Sequence, residues 1–292
     1  MNSGRRLCLR APAKINLYLK VLSRRHDGYH ELSTWMQKLN LADTLTLKAL
    51  PAGITLDCQG LDLAADESNL AYRAAALFLR ETGLKTGVEI VLEKKIPVAA
   101  GLGGGSSDAA AVLTGLNTLF SAALSEEKLM ALGLALGADV PFFVSGGNAA
   151  IATGIGEQLQ VKEGLSDCWF VLANPGFPVS TKWVFENLDL AQLGNFALTI
   201  KDNAYILGRA SDNCLAEKLF NDLESVTLAR YPEIALLKTE LINSGASGAL
   251  MSGSGPTVFG IFTDSGLASQ CAADLRQKYP GRVFLTEPLS SF

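Results

Sequence analysis

Residues 101–108 read Gly-Leu-Gly-Gly-Gly-Ser-Ser-Asp, and this stretch carries the strongest chemical signal in the chain. Four of the five residues from Gly101 to Gly105 are glycine, two hydroxyls follow at Ser106 and Ser107, and an Ala-rich run begins at Asp108. That run puts Ala109, Val112, Leu113, Leu116 and Phe120 on one face, which predicts a helix from Asp108 with Ser or Asp near its cap. Glycines without Cβ let backbone N–H groups converge on a ligand, and a helix N-terminus adds partial positive charge. Together they read as an anion cradle, most often for phosphate. A flexible turn is the alternative, but four glycines and two serines at a helix start favour the phosphate site. The cradle is not a Walker A loop, because the chain has no Gly-Lys pair. It is not the dinucleotide fingerprint either, since Ser106 stands where a third glycine is required. The protein-kinase loop lies between two strands, whereas this one opens a helix.

Other titratable residues stand in settings with two readings. Asp139 follows Gly137, where a helix running from Ser125 to Leu136 is expected to stop, and precedes Pro141. Local sequence alone reads it as the N-cap of a short helix with proline in the first turn. Lys14 falls among the alternating apolar residues Leu7, Leu9, Ile15, Leu17, Leu19 and Val21, and by itself ends a solvent-facing row of a strand. Asn16 shares its face. His26 and His30 are the only histidines. Their spacing would suit metal ligands on a helix, but Gly28 disfavours a helix and no third ligand is in view, so an Asp27-Gly28 turn is expected.

These residues need a scaffold. Strands are expected at 5–22 (a hairpin or a pair), 32–50, 54–58, 88–93 with Lys94-Lys95 as a polar end, 148–160 as a hairpin, 169–173, 258–262 and 282–285. Helices are expected at 69–82, from 108, at 125–136 and near 266–279. Strands and helices mix without regular βαβ repetition, so the fold class is α+β. Lys162-Glu163-Gly164 marks the expected boundary between domains 1–163 and 164–292.

Composition agrees with a soluble globular protein. The chain has 292 residues, 48% hydrophobic and 18% charged, which excludes a disordered chain and leaves room for two domains. Net charge is −4 without a basic block, so no nucleic-acid partner is expected. Cys8, Cys58, Cys168, Cys214 and Cys271 form no Cys-x-x-Cys pair and read as reduced thiols of a cytoplasmic protein, mostly packing groups. No signal peptide and no bilayer-spanning run is read, so no membrane association is expected. Trp35 and Met36 read as core or as an interface between copies, which leaves the oligomeric state open.

Three segments together carry a resemblance. Ala11-Pro12-Ala13-Lys14-Ile15-Asn16-Leu17, the glycine loop, and Leu250-Met251-Ser252-Gly253-Ser254-Gly255-Pro256-Thr257 resemble the three signatures of the galactokinase, homoserine, mevalonate and phosphomevalonate (GHMP) kinase superfamily. Arg25-His26-Asp27-Gly28-Tyr29-His30-Glu31-Leu32 and Gly137-Ala138-Asp139-Val140-Pro141-Phe142 narrow it to the 4-diphosphocytidyl-2-C-methyl-D-erythritol kinase family. The motifs span residues 11–257. Gly104-Gly105 lengthens the loop relative to the wider superfamily, which suits the narrower family.

The resemblance implies an N-terminal domain of the ribosomal-protein type, a C-terminal ferredoxin-like domain and an active site between them. It implies ATP-dependent phosphorylation of a small-molecule acceptor, a cytidine-diphosphate-linked methylerythritol, at its 2-hydroxyl. Asp139 would be the base and Lys14 its partner. Pro97, Ala99, Ala100, Gly101, Leu102, Gly103, Gly104, Gly105, Ser106 and Ser107 would hold ATP, with Asn69 and the Lys94-Lys95-Ile96 stretch near the adenine. Asn16 would meet the polyol, Tyr29 and His30 the cytosine, Phe177 or Phe185 its other face, and Thr181 the diphosphate. The third motif would bring backbone donors to the reacting phosphates, its plainer reading being a tight turn before a strand. Mg²⁺ is expected with ATP, its protein ligands open between Ser106, Ser107 and water alone. Two rival readings stand beside this one. A homoserine or mevalonate kinase is opposed by Asp27-Gly28-Tyr29-His30, and a non-catalytic nucleotide sensor is opposed by the presence of both Lys14 and Asp139.

Overall fold

The apolar alternation that starts at Leu7 continues without a turn into one strand, β1 (Arg6–Arg24), where a hairpin or a pair of strands is the sequence expectation. Pro12 is the only breaker in that run, and its fixed φ suits an extended chain; all it removes is one ladder donor. A turn at 25–29 leads into β2 (His30–Leu50), also a single long strand. This computed structural model describes residues 4–60, 63–191, 193, 218–279 and 282–290. Cys214 lies outside the described residues.

The chain divides into two compact units, and β1 and β2 contribute residues to both. The first unit takes Met1–Ala13, Leu41–Ile96 and Gly103–Gly147; the second takes Lys14–Asn40, Pro97–Leu102 and Asn148–Phe292. In the first, the C-terminal half of β2 pairs antiparallel with β4 (Gly87–Glu93), from Thr44 opposite Glu93 to Leu50 opposite Gly87. β3 (Ile54–Gln59) runs parallel to β4 on its other side. Helices α1 (Leu70–Thr82), α2 (Gly104–Leu119), α3 (Glu126–Leu134) and α4 (Val140–Val144) complete the unit. Its core collects Leu45, Leu47, Phe78, Ile90, Val112, Leu113 and Leu116.

The local signals set the ends of α1 and the start of α3. Asn69 caps α1 through its side chain, Gly83 closes that helix in the left-handed region, and Ser125 caps α3. α3 ends at Leu134, two residues short of its expected end. The expectation for α2 is corrected further. It begins at Gly104, four residues before Asp108, and its N-cap is Gly103 with no side-chain cap bond. Glycine at φ +69° opens the helix here, leaving Ser106, Ser107 and Asp108 inside it.

In the second unit the N-terminal half of β2 pairs with β5 (Ala149–Gly154), and β5 with β6 (Gln158–Lys162), the hairpin expected from 148–160. β8 (Phe220–Asn221) lies parallel to β1, with Leu19 opposite Asn221. A separate antiparallel sheet has the order β11-β7-β10-β9, built from β7 (Trp169–Ala173), β9 (Gly248–Met251), β10 (Val258–Phe262) and β11 (Val283–Thr286). α5 (Thr181–Glu186), α6 (Glu224–Arg230), α7 (Pro232–Asn243) and α8 (Ser265–Lys278) belong to this unit. Its own core holds Val171, Val184, Leu237, Leu241, Met251, Val258, Phe262 and Leu275. Trp35 and Met36 are buried within the chain, so the alternative of an exposed interface does not hold for them. Cys168 and Cys271 are packing groups, Cys58 is half-buried and Cys8 is exposed. Burial pushes the Cys168 thiol up to about 12, which keeps it inert. Among the described residues no helix is long and apolar enough to cross a membrane.

Candidate active site

The first unit holds the N-terminus of the glycine-opened helix. Ser107 N–H is the first of α2 to find a helical partner, donating to Gly103 O at 2.9 Å. No side chain caps the amides before it, so they and the helix dipole face outward for an anion. Ser107 Oγ is buried and unpartnered, a hydroxyl with hydrogen-bonding capacity to spare. Gly105 is exposed, and Gly104 packs so closely that a Cβ there would sit 3.0 Å from Ile96 and 3.3 Å from Lys94 Nζ. These features fit a nucleotide phosphate. Among the described residues there is no group of three or more His, Cys, Asp or Glu side chains that could hold a metal ion.

Beneath that helix start lies an ion cluster absent from the sequence expectations. Lys94, expected as the polar end of β4, is buried, and its ammonium donates to Asp43 and, at 2.7 Å, to Asp108 Oδ2. Asp43 Oδ1 accepts Lys95 N–H at 2.6 Å and Ile96 N–H at 2.9 Å, which ties the start of the loop to β2. One signal was present in the sequence: Asp43 is the only charged residue between Lys38 and Lys48, in a stretch that includes Leu39, Leu41, Ala42, Leu45 and Leu47. Burial opposes the Lys94 charge, but the two carboxylates outweigh it and its pKa moves up. Asp108, expected near a cap, is instead buried with Oδ1 unpartnered. Burial, opposed by Lys94 and reinforced by Asp43, pushes its carboxyl up to about 7.

A carboxyl raised on folding holds a proton in the folded chain that the unfolded chain has already released. Stability therefore falls as pH rises through the window from the ordinary carboxylate range to about 7. The slope is bounded at about 1.4 kcal/mol per pH unit for one proton. Urea unfolding at pH 5, 6, 7 and 8 is expected to show this fall in the natural chain and a flatter profile in Asp108→Asn. Equal slopes in the two proteins would contradict the assignment.

Asp139 stands at the N-cap position of α4 with Pro141 in its first turn, as local sequence suggests, yet its side chain makes no capping hydrogen bond. Asn69 has its amide committed locally: Oδ1 accepts from Ala71 N–H at 2.9 Å and Nδ2 donates to Ala64 O at 2.9 Å.

The second unit holds the polar edge of β1. Lys14, Asn16, Tyr18 and Lys20 share one face and are all buried, so the solvent-facing alternative for Lys14 is excluded. Lys14 Nζ donates to Asn16 Oδ1 at 2.6 Å, Asn16 Nδ2 to Thr34 Oγ1 at 2.8 Å, and Thr34 Oγ1 to Tyr18 O at 2.6 Å. The backbone is equally committed. Lys14 N–H donates to Leu102 O at 2.9 Å and Asn16 N–H to Ser252 Oγ at 3.3 Å. Ser252 Oγ donates in turn to Gly101 O at 2.9 Å. The Ser252–Gly255 turn joins β9 to β10, so its plainer reading as a turn before a strand is true of its geometry.

The aromatic residues sort into two groups. His30 is buried and stacks on Phe185, with ring centroids 5.1 Å apart. Burial, with Arg24 adding to it, lowers the His30 pKa, so its ring is neutral at pH 7. Tyr29 is 59% exposed at the turn where Gly28 has φ +88° and Tyr29 N–H meets Asp27 Oδ1 at 3.1 Å. Phe177 instead stacks on Tyr231, with centroids 4.8 Å apart. Thr181 Oγ1 lies 2.8 Å from Ser254 Oγ. A cavity of about 550 Å³ lined by Ala99, Pro178, Val179, Ser180, Trp183, Arg230 and Tyr231 was not foreseen from sequence.

Residues 69–147 match the GHMP kinases N terminal domain and residues 205–281 the GHMP kinases C terminal domain. The chain is 48% identical over 284 residues to 4-diphosphocytidyl-2-C-methyl-D-erythritol kinase of Syntrophotalea carbinolica, covering 96% of this chain and 98% of that one. It is 46% identical to the enzyme of that name from Desulfotalea psychrophila, covering 97% and 95%. A crystal structure of 4-(cytidine 5'-diphospho)-2C-methyl-D-erythritol kinase superposes with TM-score 0.81 at 38% identity, over 98% of this chain and 100% of that one. Homoserine kinase from Cytophaga hutchinsonii, at TM-score 0.71, 19% identity and coverage of 97% and 95%, shares the fold. With both domains matched and nearly the full length of close relatives covered, the chain belongs to the GHMP kinases and, within them, to the family of its 4-diphosphocytidyl-2-C-methyl-D-erythritol kinase relatives.

Proposed function

We propose that this protein transfers the γ-phosphoryl group of ATP to the 2-hydroxyl of 4-diphosphocytidyl-2-C-methyl-D-erythritol, a step of the non-mevalonate route to isoprenoid precursors. The observation that carries the reading is the 48% identity over almost the whole length of a relative so named. The uncapped start of α2 supports it as a place for the ATP phosphates. On this reading the acceptor oxygen bonds to the γ-phosphorus, the bond to the bridging oxygen breaks, and ADP leaves. Asp139 takes the hydroxyl proton, and the Lys14 ammonium offsets negative charge near the acceptor oxygen. Mg²⁺ bound with ATP would neutralise charge between the phosphates, held by the Ser106 or Ser107 hydroxyl or by water alone.

Tyr29 offers an exposed ring face for cytosine. The neutral imidazole of His30 offers one donor and one acceptor for the base edge, held in place by Phe185. Asn16 is assigned to the polyol and Thr181 to the diphosphate. Tyr29→Ala is expected to raise KM for the cytidine acceptor about tenfold, a typical stacking contribution, with KM for ATP nearly unchanged. Equal changes in both would remove Tyr29 from the acceptor site.

The reading as a whole is tested by ADP release from Mg-ATP with three acceptors: the cytidine compound, mevalonate and homoserine. Turnover with the cytidine compound alone is the expected result. Turnover with another acceptor would keep the kinase and discard the roles of Tyr29 and His30, and ATP binding without any turnover would favour a sensor.

A further inference from the structure

Asn221 makes no side-chain hydrogen bond to Lys14, Asn16 or Gly101, yet it holds the turn that touches Asn16 and Gly101. It is the last residue of β8, a strand of only two residues, and it is buried. Its Nδ2 group donates to Met251 O and to Gly253 O, both at 2.8 Å, and its Oδ1 accepts Leu223 N–H at 3.0 Å. Both N–H donors and the oxygen of the amide are engaged, and the two donors clamp backbone carbonyls on either side of Ser252. Ser252 is the residue whose hydroxyl accepts from Asn16 N–H and donates to Gly101 O.

The next residue fastens the same dipeptide to β1. Asp222 N–H donates to Leu19 O at 3.0 Å, and Asp222 Oδ2 accepts Val21 N–H at 2.8 Å. Phe220 lies opposite Tyr18 in the parallel pairing, their ring centroids 5.7 Å apart. One short segment thus grips the strand carrying Lys14 and Asn16 on one side and the Ser252–Gly255 turn on the other. The turn has little tolerance of its own. Gly253 and Gly255 take φ +56° and +84°, and a Cβ on Gly253 would come within 3.3 Å of Asn16 Oδ1. A turn with so few rotameric anchors keeps its geometry only if its carbonyls are held from outside.

We propose that Asn221 is a positioning residue for nucleotide binding: it aims the Ser252 hydroxyl at the Gly101 carbonyl, and so sets the approach of the glycine loop. The inference rests on the ATP-binding part of the functional reading above and not on the identity of the acceptor.

Direct titration of Mg-ATP, without acceptor, tests it. Asn221→Ala is expected to weaken ATP binding about tenfold, the effect of losing two buried hydrogen bonds to the turn. Asn221→Asp keeps the acceptor for Leu223 N–H and nearly the same shape but removes both donors. It is expected to do at least as much, and it carries the test should the alanine variant not fold. Ser252→Ala should weaken ATP binding by itself. In the Ser252→Ala background the Asn221 substitution should then cost less than about twofold, because both act through one hydroxyl. A role confined to stability predicts a lower Tm with unchanged ATP affinity at a temperature where the variants are folded, and that result overturns the proposal. Losses that multiply fully in the double variant overturn it too. A natural chain that binds ATP but does not phosphorylate the cytidine acceptor would defeat the functional reading and leave this inference standing.

Discussion

Asp139→Asn should lower kcat by about 10²–10⁴-fold, the range typical for a general base, while leaving ATP affinity within about twofold of the natural chain. The substitution is nearly isosteric and removes the charge and the ability to take a proton. Pro141 presets the first turn of α4 whatever stands at position 139, and the thermal melt below checks that the fold is kept. A loss of turnover is then chemical rather than structural. Lys14→Met should also be inactive, but that result is harder to read. Lys14 is buried and donates to Asn16 Oδ1 at 2.6 Å, so its removal strands a buried acceptor at a cost of about 1–3 kcal/mol. Steady-state kinetics and ATP titration on Asp139→Asn, with a thermal melt as control, decide the matter. A kcat within threefold of the natural chain would remove Asp139 as the base.

Gly101→Ala is expected to abolish measurable ATP binding, or at least to weaken it beyond a hundredfold, with Gly105→Ala close to neutral. Both glycines sit in the same loop sequence, and their surroundings differ. Gly101 has φ +77°, where an L-residue costs about 1–2 kcal/mol, and its added Cβ would overlap the Ser252 carbonyl oxygen. That oxygen belongs to backbone and has no rotamer to escape through. The hydrogen bond from Ser252 Oγ to Gly101 O would have to break as the chain moves. Gly105 lies inside α2, where a Cβ meets only the far end of the Leu70 side chain at 3.3 Å and where alanine favours the helix by about 1 kcal/mol. Titration of ATP into both variants checks the contrast. Equal losses at the two positions would mean that the loop acts through glycine flexibility in general and not through the close approach at Gly101.

Much of the scaffold was legible because its signals are local. Asn69 and Gly83 at the ends of α1, and Ser125 at the start of α3, state their roles through side chain or φ preference alone. The Asp27-Gly28 turn is of the same kind. Local reading failed at α2, where side-chain capping preference points to Ser or Asp. The chain instead uses a left-handed Gly103 and starts four residues earlier, keeping the helix amides clear of any side chain. It failed at β1 as well, since the nine residues from Ala13 to Val21 are buried on both faces and a surface lysine in the sequence becomes an interior one.

The sequence by itself determined the composition of the chemistry: an anion cradle at a helix start, a lysine and an asparagine two apart on one strand face, a carboxylate before a proline, and an aromatic and a histidine side by side. Each of these follows from residue types a few positions apart, where backbone geometry leaves little choice. The tertiary structure alone decided which groups are held and by what. It buried Lys94 between Asp43 and Asp108, used Ser252 to join Gly101 to Asn16, and set Asn221 against Met251 and Gly253. These partners lie from 14 to 236 positions apart in the chain. Hydrogen bonds and ion pairs of that reach depend on burial and on the direction of each side chain after folding, and no periodicity in the sequence encodes either.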